Sequence, residues 1–382
     1  ITSRWRFFLR KNGKARENIH ITHLALFSKT CYTDKKRNGV LFVEIITIVG
    51  AGMMGSAMAI PAHDNGHEVR LVGTPLDREI IDMLQKTGHH KTLKRDLPQG
   101  VKFYQIEELD AALEGATLLI GGVSSFGVEW FCDEVLSKIP EDLPVISITK
   151  GLHCAPDGSI TSFPEYMKKK CGRNLSLNAI GGPCISFELA DRHNTLVAFC
   201  GEDRKMLEKI RDILATPYYH IDLTTDIIGL ETAVAMKNAY ALGVALAIGA
   251  AEHEYGEGCP EHYNPQAGLF AESVREMRTI LEVTGGEPDK IVFGAGDLYV
   301  TVFGGRTRKI GTLLGRGMTI EEALVILDGV TLESIAVTKS VIGALEEQQR
   351  RGKFDMARVP LLAHIKELVT GVKTVDIPWE KF

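Results

Sequence analysis

The sequence predicts an α/β chain in which a Rossmann-type parallel-sheet domain precedes an all-helical domain. The β-branched segment "EIITIV" leads into a glycine-rich turn and a helical segment, the order typical of a dinucleotide-binding unit. Further apolar strand-like segments then alternate with helical ones, which favours a parallel sheet. Beyond about residue 222 the long segments favour helix. We therefore expect a dinucleotide-binding domain over 43–222 and a helical substrate domain over 223–382.

Composition excludes several classes of protein. The 382 residues are 45% hydrophobic, which is enough for two domains with cores of their own, and the net charge of −5 argues against a general nucleic-acid binder. Seven cysteines without CxxC spacing favour a reduced, intracellular protein over a disulfide scaffold. The longest uncharged apolar segment, 239–251, is too short to span a bilayer, so we expect a cytoplasmic protein without membrane insertion.

Residues 1–42 differ from the rest of the chain. Residues 1–39 contain ten Lys and Arg residues but only two acidic residues, whereas the remainder has 34 basic and 47 acidic residues. The segment has no sustained hydrophobic period. Translated upstream sequence, a mitochondrial-type transit peptide and an ordered extension are all compatible with it. In each case we expect a non-core N-terminal extension over 1–42.

The glycine-rich turn "GAGMMG" carries the cofactor prediction. Gly50 permits a tight turn, Gly52 lets a pyrophosphate approach the backbone, and Gly55 lets the helix pack closely on the strand. The free N–H groups of the following helix would bind phosphate. Met53 and Met54 lie between these glycines and are further candidates for contact with cofactor. The alternative is a glycine-rich turn of an ordinary α/β domain.

The end of the second strand leaves the choice between NAD and NADP open. An acidic residue there binds the ribose hydroxyls and an arginine accepts a 2′-phosphate, but the chain has Gly73, Thr74 and Pro75. Thr74 could hydrogen-bond either nucleotide. Asp77 and Arg78 follow too late to satisfy either rule. We therefore expect NAD or NADP, with weak discrimination.

Six short motifs in order resemble the NAD(P)-dependent glycerol-3-phosphate dehydrogenase family. They are "GAGMMG", "ITKGL", "GGPCISFELA", "AMKNAYA", "GAGDLYVT" and "FGGRTRK", and the resemblance covers residues 43 to about 370. It implies a Rossmann domain joined to a helical domain, interconversion of dihydroxyacetone phosphate and sn-glycerol 3-phosphate, and a role in phospholipid biosynthesis. It also implies that Lys237 is the catalytic base and that Lys150, Asp297 and Arg306 line the substrate site.

The residue chemistry agrees with this assignment. Lys237 and Asn238 interrupt the apolar helical segment "ETAVAMKNAYALGVALA", where partial desolvation would lower the pKa of the lysine, as a general base requires. The alternative is a snorkelling lysine with an exposed head. Lys150 ends a strand and could stabilise a developing alkoxide. Asp297 could fix Lys237 or accept a hydrogen bond from a substrate hydroxyl, or could be a simple turn aspartate.

The basic segment 301–317 places four cations among five glycines. A solvated basic face, a nucleic-acid patch and a pocket for a phosphorylated ligand are the alternatives. Arg306 is the candidate phosphate ligand, because a guanidinium binds two oxygens in one plane. We expect Arg308, Lys309 and Arg316 to raise the local positive potential or to face solvent. No aromatic platform supports nucleic-acid binding.

The resemblance has departures. Thr307 stands where the family usually has Asn, Cys184 where a Ser is common, and Ser334 where a Gly is usual after Glu333. The polar segment 253–265 contains His and Cys but matches no zinc spacing, so we expect no metal. His89-His90 is expected at the surface.

The predicted site is therefore as follows. The catalytic residues are Lys237, Asn238 and Asp297; the substrate-binding residues are Lys150, Gly182, Cys184, Asp297, Gly305, Arg306 and Thr307; and the cofactor-binding residues are Gly50, Gly52, Met53, Met54, Gly55, Thr74, Lys150, Ser186, Arg306 and Glu333. We expect a phosphorylated small-molecule substrate, no nucleic-acid partner and a homodimer. The alternatives are a related two-domain dehydrogenase acting on another small hydroxy compound and a non-catalytic nucleotide-binding scaffold.

Overall fold

A computed structural model describes residues 43–327 and 333–382. The predicted extension, 1–42, lies outside the described residues. The predicted division of the remaining chain at residues 222 and 223 stays a prediction.

The strands occupy the first half of the described chain. They are β1 (Ile45–Val49), β2 (Glu68–Val72), β3 (His89–His90), β4 (Arg95–Asp96), β5 (Lys102–Tyr104), β6 (Leu118–Gly121), β7 (Val145–Ser147), β8 (Leu152–Cys154), β9 (Ile160–Ser162), β10 (Leu177–Gly181), β11 (Thr195–Cys200) and β12 (Tyr219–Thr224). Eight of them form one sheet in the order β12-β11-β10-β7-β6-β1-β2-β5. The other four form two small ribbons, β3-β4 and β8-β9.

The large sheet is parallel except at one pair. β1 pairs in parallel with β2 and β6, and β7 continues this arrangement to β10. β10 and β11 are antiparallel, which differs from the wholly parallel sheet that we expected. Only one helix of five residues, Ser186–Ala190, lies between these strands, so the chain returns directly instead of making the longer crossover that a parallel pair requires.

The helices surround the sheet and then form the second half. They are α1 (Met53–Asp64), α2 (Arg78–Thr87), α3 (Leu109–Leu113), α4 (Val128–Phe131), α5 (Phe163–Cys171), α6 (Ser186–Ala190), α7 (Arg204–Leu214), α8 (Ile227–Ala235), α9 (Lys237–Tyr255), α10 (Tyr263–Thr284), α11 (Ile291–Val302), α12 (Gly305–Gly315), α13 (Ile320–Ile326), α14 (Glu333–Arg350) and α15 (Pro360–Val369). The predicted α/β architecture with a helical second half is confirmed.

Two kinds of core hold these layers together. The strands of the central sheet are continuous apolar segments because helices cover both faces, and Ile46, Ile48 and Leu71 are fully buried. In the helical half, α9 is the central element and is buried along most of its length. Its neighbours are α10, α11, α12, α14 and α15.

Small residues allow the helices that carry the site to approach closely. A Cβ on Gly249 of α9 would lie 2.0 Å from the carbonyl oxygen of Thr312 in α12, and one on Gly311 would lie 2.5 Å from that of Leu242. A Cβ on Gly294 of α11 would similarly lie 2.4 Å from the carbonyl oxygen of Ala233 in α8. Larger residues would therefore push α12 away from α9, the helix that carries Lys237, and α11 away from α8.

The apolar stretch that forms α8 and α9 belongs to this core. Among the described residues, Ile227–Tyr255 is long and apolar enough to cross a membrane, and 83% of its most apolar window is buried inside the protein. Asp226 begins the stretch, since its carboxylate accepts a hydrogen bond from the backbone N–H of Gly229 at 2.9 Å.

Candidate active site

The carboxyl ends of the parallel strands meet at one edge of the sheet. β1 leads into Gly50, β6 into Gly122, β7 into Lys150 and β10 into Gly182. The chain changes direction across the sheet between β1 and β6, which is the crevice where open α/β sheets bind ligands. Helix α11 carries Asp297 to this same edge, where it pairs with Lys150.

The glycine-rich turn needs its first and third glycines for close packing. Gly50 has a φ of +114°, and a Cβ there would lie 2.5 Å from the carbonyl oxygen of Gly122. A Cβ on Gly55 would lie 2.0 Å from the carbonyl oxygen of Gly50. Gly52 differs, because among the described residues no atom apart from its chain neighbours lies within 4 Å of the position its Cβ would take. The space beside Gly52 is therefore open.

This open space suits a dinucleotide pyrophosphate. Gly52 is the N-cap of α1, and no side chain hydrogen-bonds the free N–H groups of this helix end. Uncapped N–H groups at a helix N-terminus bind phosphate oxygens. Gly50, Gly52, Met53, Met54 and Gly55 all lie in this turn or in the first turn of α1. The residues present thus fit a dinucleotide cofactor.

Asp77 and His90 hold the turn in place. One carboxylate oxygen of Asp77 accepts hydrogen bonds from the backbone N–H of Ala51 at 3.1 Å and from the N–H and hydroxyl of Thr74 at 2.9 and 2.8 Å. The Nε2 of His90 lies 2.8 Å from the carbonyl oxygen of Ala51. His90 is fully buried, so its predicted surface position was wrong. The sequence did not show that a distant histidine contacts the glycine-rich turn.

The two charged residues that follow Thr74, Asp77 and Arg78, already have partners and are not free to bind the ribose. Asp77 is occupied by Thr74 and Ala51, and Arg78 forms an ion pair with Glu107 on the exposed surface. Thr74 also lies at the end of β2 and is partly buried. Among Thr74, Asp77 and Arg78, therefore, no unpaired charged side chain is available to distinguish NAD from NADP.

Three charged side chains form the centre of the site, and we call them the lysine–aspartate cluster: Lys150, Lys237 and Asp297. The Nζ of Lys237 donates to Oδ1 of Asp297 at 2.6 Å, and the Nζ of Lys150 donates to Oδ2 of the same carboxylate. Lys150 also donates to the carbonyl oxygen of Gly182 at 2.7 Å. Asp297 is fully buried, while the lysine side chains are 16–18% exposed. The cluster therefore has one accessible side.

Burial and charge act together on Lys237. Burial lowers its pKa below the ordinary value of 10.5, and the positive charge of Lys150 lowers it further, while Asp297 and Glu333 act in the opposite direction. The side chain is not a snorkelling lysine, because it turns inward to a buried carboxylate. A lysine whose pKa is lowered gives up its proton more readily than an exposed lysine, as proton exchange with a bound ligand requires.

Asp297 lies within helix α11, so the alternative of a simple turn aspartate was wrong. The flanking glycines suggested a turn, but Gly294 instead allows the close helix contact described above. Asn238 follows Lys237 at the start of α9 and its amide lies 3.4 Å from a carboxylate oxygen of Glu333. The other oxygen of Glu333 lies 3.4 Å from the hydroxyl of Ser125, which follows β6. Glu333 thus connects α9 with the sheet edge.

Gly182, Cys184 and Ser186 follow β10, and this segment contacts both the cluster and the first turn of α1. The Sγ of Cys184 lies 3.9 Å from the Sδ of Met54. Burial raises the pKa of the Cys184 thiol to about 11, although Lys150 and Lys237 act to lower it. The group is therefore a thiol at neutral pH and not a nucleophile. Ser186 is buried at the first turn of α6.

The predicted phosphate ligands lie at the start of α12. Gly305 has a φ of +81°, which favours glycine, and Arg306 is exposed. Among the described residues Arg306 forms no ion pair. Thr307 follows within α12 and is partly buried. Among the described residues, no hydrogen bond or ion pair joins Gly305, Arg306 or Thr307 to the lysine–aspartate cluster.

Arg308 and Arg316 form ion pairs, whereas we expected them to raise the local positive potential or to face solvent. Arg308 pairs with Glu261 at 2.7 Å, and Arg316 pairs with Glu252 and Glu257 at 2.7 and 2.9 Å. The acidic partners come from the end of α9 and from the polar segment 253–265. Neutralised in this way, Arg308 and Arg316 do not serve as a free positive surface. Sequence reasoning missed these pairs because the acidic partners are 47 to 64 residues away in the chain.

Sequence reasoning also missed Glu231, a fully buried carboxyl group on α8. It precedes Lys237 in the apolar segment that the lysine interrupts. Burial raises its pKa to about 8, and the charge of Lys150 acts to lower it. The signal that could have identified Glu231 from the sequence is the presence of an acidic residue in an apolar helical segment.

Comparison with known proteins identifies the family. The family model for the N-terminus of NAD-dependent glycerol-3-phosphate dehydrogenase matches residues 45–207, and the model for the C-terminus matches residues 226–379. The chain is 34% identical to NADP(+)-dependent glycerol-3-phosphate dehydrogenase of Archaeoglobus fulgidus over 88% of this chain and 98% of that protein. It is 25% identical to glycerol-3-phosphate dehydrogenase [NAD(P)+] of Bacillus velezensis over 86% and 93% of the two chains.

A solved structure agrees at the level of the fold. The crystal structure of glycerol-3-phosphate dehydrogenase from Coxiella burnetii superposes with a TM-score of 0.73 at 23% identity, covering 89% of this chain and 98% of that one. The predicted resemblance is confirmed: the chain belongs to the NAD-dependent glycerol-3-phosphate dehydrogenase family and is an NAD(P)-dependent oxidoreductase.

Proposed function

We propose that this chain interconverts dihydroxyacetone phosphate and sn-glycerol 3-phosphate with Lys237 as the proton carrier. The observation that supports this most is the lysine–aspartate cluster at the carboxyl edge of the dinucleotide-binding sheet. NAD(P)H supplies the hydride in the reducing direction, and NAD(P)+ accepts it in the oxidising direction. The reaction then needs one group that exchanges a proton with the substrate oxygen.

Lys237 fits this role. In the reducing direction, hydride adds to the carbonyl carbon and the ammonium of Lys237 gives its proton to the carbonyl oxygen. In the oxidising direction, neutral Lys237 takes the proton from the hydroxyl. Burial lowers its pKa from the ordinary lysine value, which makes the neutral form that oxidation requires easier to reach. Asn238 orients the lysine or the substrate by hydrogen bonding.

Lys150 and Asp297 support the same step. Asp297 holds both ammonium groups through its two carboxylate oxygens, so their separation is fixed before substrate arrives. Lys150 lies beside the reacting oxygen and stabilises the negative charge that develops there. Gly182 fixes Lys150 from the opposite side through its carbonyl oxygen.

Arg306 supplies the recognition of phosphate. Its guanidinium has no ion pair among the described residues, whereas Arg308 and Arg316 are already neutralised. An unpaired guanidinium beside the bare backbone of Gly305 can bind two phosphate oxygens. Thr307 and Cys184 line the substrate site, and Arg306 also reaches the cofactor.

The glycine-rich turn and Thr74 would hold the cofactor. Ser186 and Glu333 would also bind it, and Glu333 already contacts Ser125 and Asn238. The enzyme accepts both nucleotides, because no charged side chain among residues 74–78 is free to select one.

The remaining proposals concern the localisation, the oligomeric state, the metabolic role and the domain boundary of the protein. The chain is a cytoplasmic homodimer without membrane insertion that supplies glycerol 3-phosphate for phospholipid synthesis, and its two domains divide at residues 222 and 223. Burial of the apolar stretch Ile227–Tyr255 in the core supports the absence of a membrane span.

A substrate comparison tests the proposed function. Purified protein is assayed with NADH or NADPH against dihydroxyacetone phosphate and against unphosphorylated dihydroxyacetone. We expect turnover of the phosphorylated substrate and little of the other. Equal rates would favour a related dehydrogenase for another small hydroxy compound, and cofactor binding without turnover of either would favour a non-catalytic scaffold.

A further inference from the structure

His90 is a fully buried histidine on the small ribbon β3-β4, and the reaction proposed above does not use it. Both nitrogens of its ring have partners. Nδ1 accepts a hydrogen bond from the backbone N–H of Leu93 at 3.0 Å, and Nε2 lies 2.8 Å from the carbonyl oxygen of Ala51. Since Nδ1 is an acceptor, the ring is neutral and its proton is on Nε2, which donates to Ala51.

The ribbon β3-β4 holds His90 in a fixed place. The carbonyl oxygen of His90 accepts a hydrogen bond from the N–H of Lys94 at 2.7 Å, within the turn that joins the two strands. Arg95, which is opposite His90 in the ribbon, donates two hydrogen bonds of 2.6 Å to the carboxylate of Asp191 at the end of α6. The ribbon is therefore attached to α6 as well as to the glycine-rich turn.

Both polar backbone atoms of Ala51, between the first two glycines of the turn, are held by side chains. Its N–H donates to the carboxylate of Asp77 at 3.1 Å. Its carbonyl oxygen accepts from His90 and, at 3.3 Å, from the hydroxyl of Ser56. The C=O and N–H of a planar trans peptide point in opposite directions. The N–H of Gly52, in the same peptide as this carbonyl, is therefore directed away from His90, and it donates no hydrogen bond among the described residues.

We propose that His90 is a positioning residue of the cofactor site: by holding the carbonyl of Ala51, it sets the peptide plane that directs the N–H of Gly52 toward the pyrophosphate of NAD(P). The inference rests on the proposed binding of the dinucleotide along the glycine-rich turn, and not on the identity of the substrate. His90 is fully buried and acts through Ala51. The open space beside Gly52 leaves room for the phosphate oxygens that accept the N–H.

Loss of the His90 donor should weaken the cofactor. Ser56 would remain as a side-chain donor to the carbonyl of Ala51, at the longer distance of 3.3 Å. The peptide would then be less fixed before binding, and ordering it on binding reduces affinity. The loss should appear in cofactor affinity and not in kcat at saturating cofactor, because the groups that exchange the proton lie in the lysine–aspartate cluster.

Two substitutions separate the contact with Ala51 from the contact with Leu93. A glutamine can place its amide N–H near the position of Nε2, so His90→Gln keeps a donor for Ala51. An asparagine is one carbon shorter, and its carbonyl oxygen takes the position of Nδ1. His90→Asn therefore keeps the acceptor for Leu93 and loses the donor to Ala51.

The chain offers a matched control in His364. This histidine is also buried, and its Nε2 accepts a hydrogen bond from the backbone N–H of Asp376 at 3.3 Å. It lies on α15 in the helical half of the chain. His364→Asn therefore removes a buried imidazole without altering the glycine-rich turn.

The first test measures the tautomer of His90 in the cofactor-free protein. Nitrogen NMR of protein labelled with ¹⁵N-histidine distinguishes protonated from unprotonated ring nitrogens, and the signal that disappears in His90→Gln identifies His90. We expect a protonated Nε2 and an unprotonated Nδ1. A proton on Nδ1 would exclude the hydrogen bond to Ala51 and overturn the proposal.

The second test measures binding of ADP-ribose, a probe that contains the pyrophosphate, by calorimetric titration. For His90→Asn the dissociation constant should rise roughly 3- to 10-fold, the effect of one net hydrogen bond. His90→Gln and His364→Asn should bind like wild type. In steady-state kinetics, KM for NADH should rise with the dissociation constant while kcat at saturating NADH stays within about twofold of wild type.

The variants decide between a hydrogen bond and packing. Equal weakening by His90→Gln and His90→Asn, or by His364→Asn, would show that packing is responsible and would overturn the proposal. Unchanged affinity in His90→Asn would overturn it as well. If His90→Asn does not fold, the tautomer and the affinity of His90→Gln still decide, since a weakened His90→Gln contradicts the proposal.

The same measurements separate this inference from the proposed reaction. If wild type binds ADP-ribose but does not turn over dihydroxyacetone phosphate, the proposed reaction fails, and the role of His90 is decided by the titrations alone. If wild type binds no ADP-ribose, the cofactor site at the glycine-rich turn fails and this inference fails with it.

Discussion

The lysine–aspartate cluster and the segment Gly304–Arg308, which we call the arginine turn, are organised in opposite ways. In the cluster, three charged groups are largely buried and already paired with one another. In the arginine turn, Arg306 is exposed and has no ion pair among the described residues. The ion pairs of the cluster therefore form without a ligand, whereas the guanidinium of Arg306 remains available to pair with one.

This difference assigns the two regions different tasks. Burial makes each charge in the cluster sensitive to its neighbours, which suits the control of a proton. Exposure keeps Arg306 solvated and charged, so a phosphate can displace water and form a paired contact. The cluster should determine the rate of the chemical step, and the arginine turn should determine which substrate is accepted.

Replacing Asp297 should have the largest effect. Asp297→Asn removes the counterion of two ammonium groups, so a protonated Lys237 becomes less favourable. We expect kcat for reduction to fall by about 10²–10⁴-fold. The free energy of unfolding should fall by about 3–5 kcal/mol, because buried charge loses its partner. Steady-state kinetics and thermal unfolding measure the two effects.

The matched control is Asp289→Asn. Asp289 precedes the same helix and pairs with Lys290, but its side chain is 73% exposed. The exposed carboxylate should contribute little, since Lys290 keeps Glu287 as a second partner, so activity should be within about twofold of wild type. A comparable loss in both variants would show that Asp297 serves the fold and not the reaction.

Arg306→Ala should alter substrate choice more than catalysis. Loss of a charge-assisted pair to a desolvated phosphate costs roughly 2–5 kcal/mol, so kcat/KM for dihydroxyacetone phosphate should fall by about 30- to 5,000-fold. The rate with unphosphorylated dihydroxyacetone should hardly change. Arg306→Lys should rescue only part of the loss, since an ammonium lacks the planar fork.

Lys309→Ala provides the control for the arginine turn, because Lys309 is exposed on the same helix. Its kinetics should resemble wild type. Equal losses for the two substrates in Arg306→Ala would mean that its contact with the cofactor, or a role in the fold, outweighs the recognition of phosphate.

At the cofactor site, we expect only a small difference between the binding free energies of the two nucleotides. With Asp77 occupied and Arg78 paired, the affinities for NADH and NADPH should lie within roughly 1.4–2.8 kcal/mol, or 10- to 100-fold. Fluorescence titration measures both. A much larger preference would show that a group outside residues 74–78 reads the ribose.

Arg308→Ala should have the smallest effect. It removes a pair with Glu261 that is partly exposed, so unfolding free energy should fall by about 1 kcal/mol or less. Activity should be unchanged within about twofold. A loss of phosphate recognition as large as that of Arg306→Ala would remove the distinction between the two arginines.

Local patterns were sufficient for the fold and for the glycine-rich turn. The β-branched segment before Gly50 and the helical segment after it specify their structure within a few residues. Motif order likewise identified Lys150, Lys237 and Asp297. Their mutual distances depend on how α11 packs against α8, which no local pattern encodes.

The features that sequence reasoning missed depend on contacts between distant segments. His90 reaches Ala51 across 39 residues, and Arg316 reaches Glu252 across 64. Composition shows only that such charges exist. Glu231 was present in the segment that identified Lys237, but its complete burial depends on how the helices pack.

The pH dependence of both reaction directions, in wild type and Lys237→Ala, tests the central claim most directly. Because oxidation needs neutral Lys237 and reduction needs its protonated form, wild-type oxidation should rise with pH and reduction should fall, both through the lowered lysine pKa. Lys237→Ala should lose about 10²–10⁴-fold in kcat and both dependences, while cofactor affinity stays near wild type. A variant that turns over at a near-normal rate, or that keeps the wild-type pH profile at a reduced rate, would contradict the assignment of the proton to Lys237.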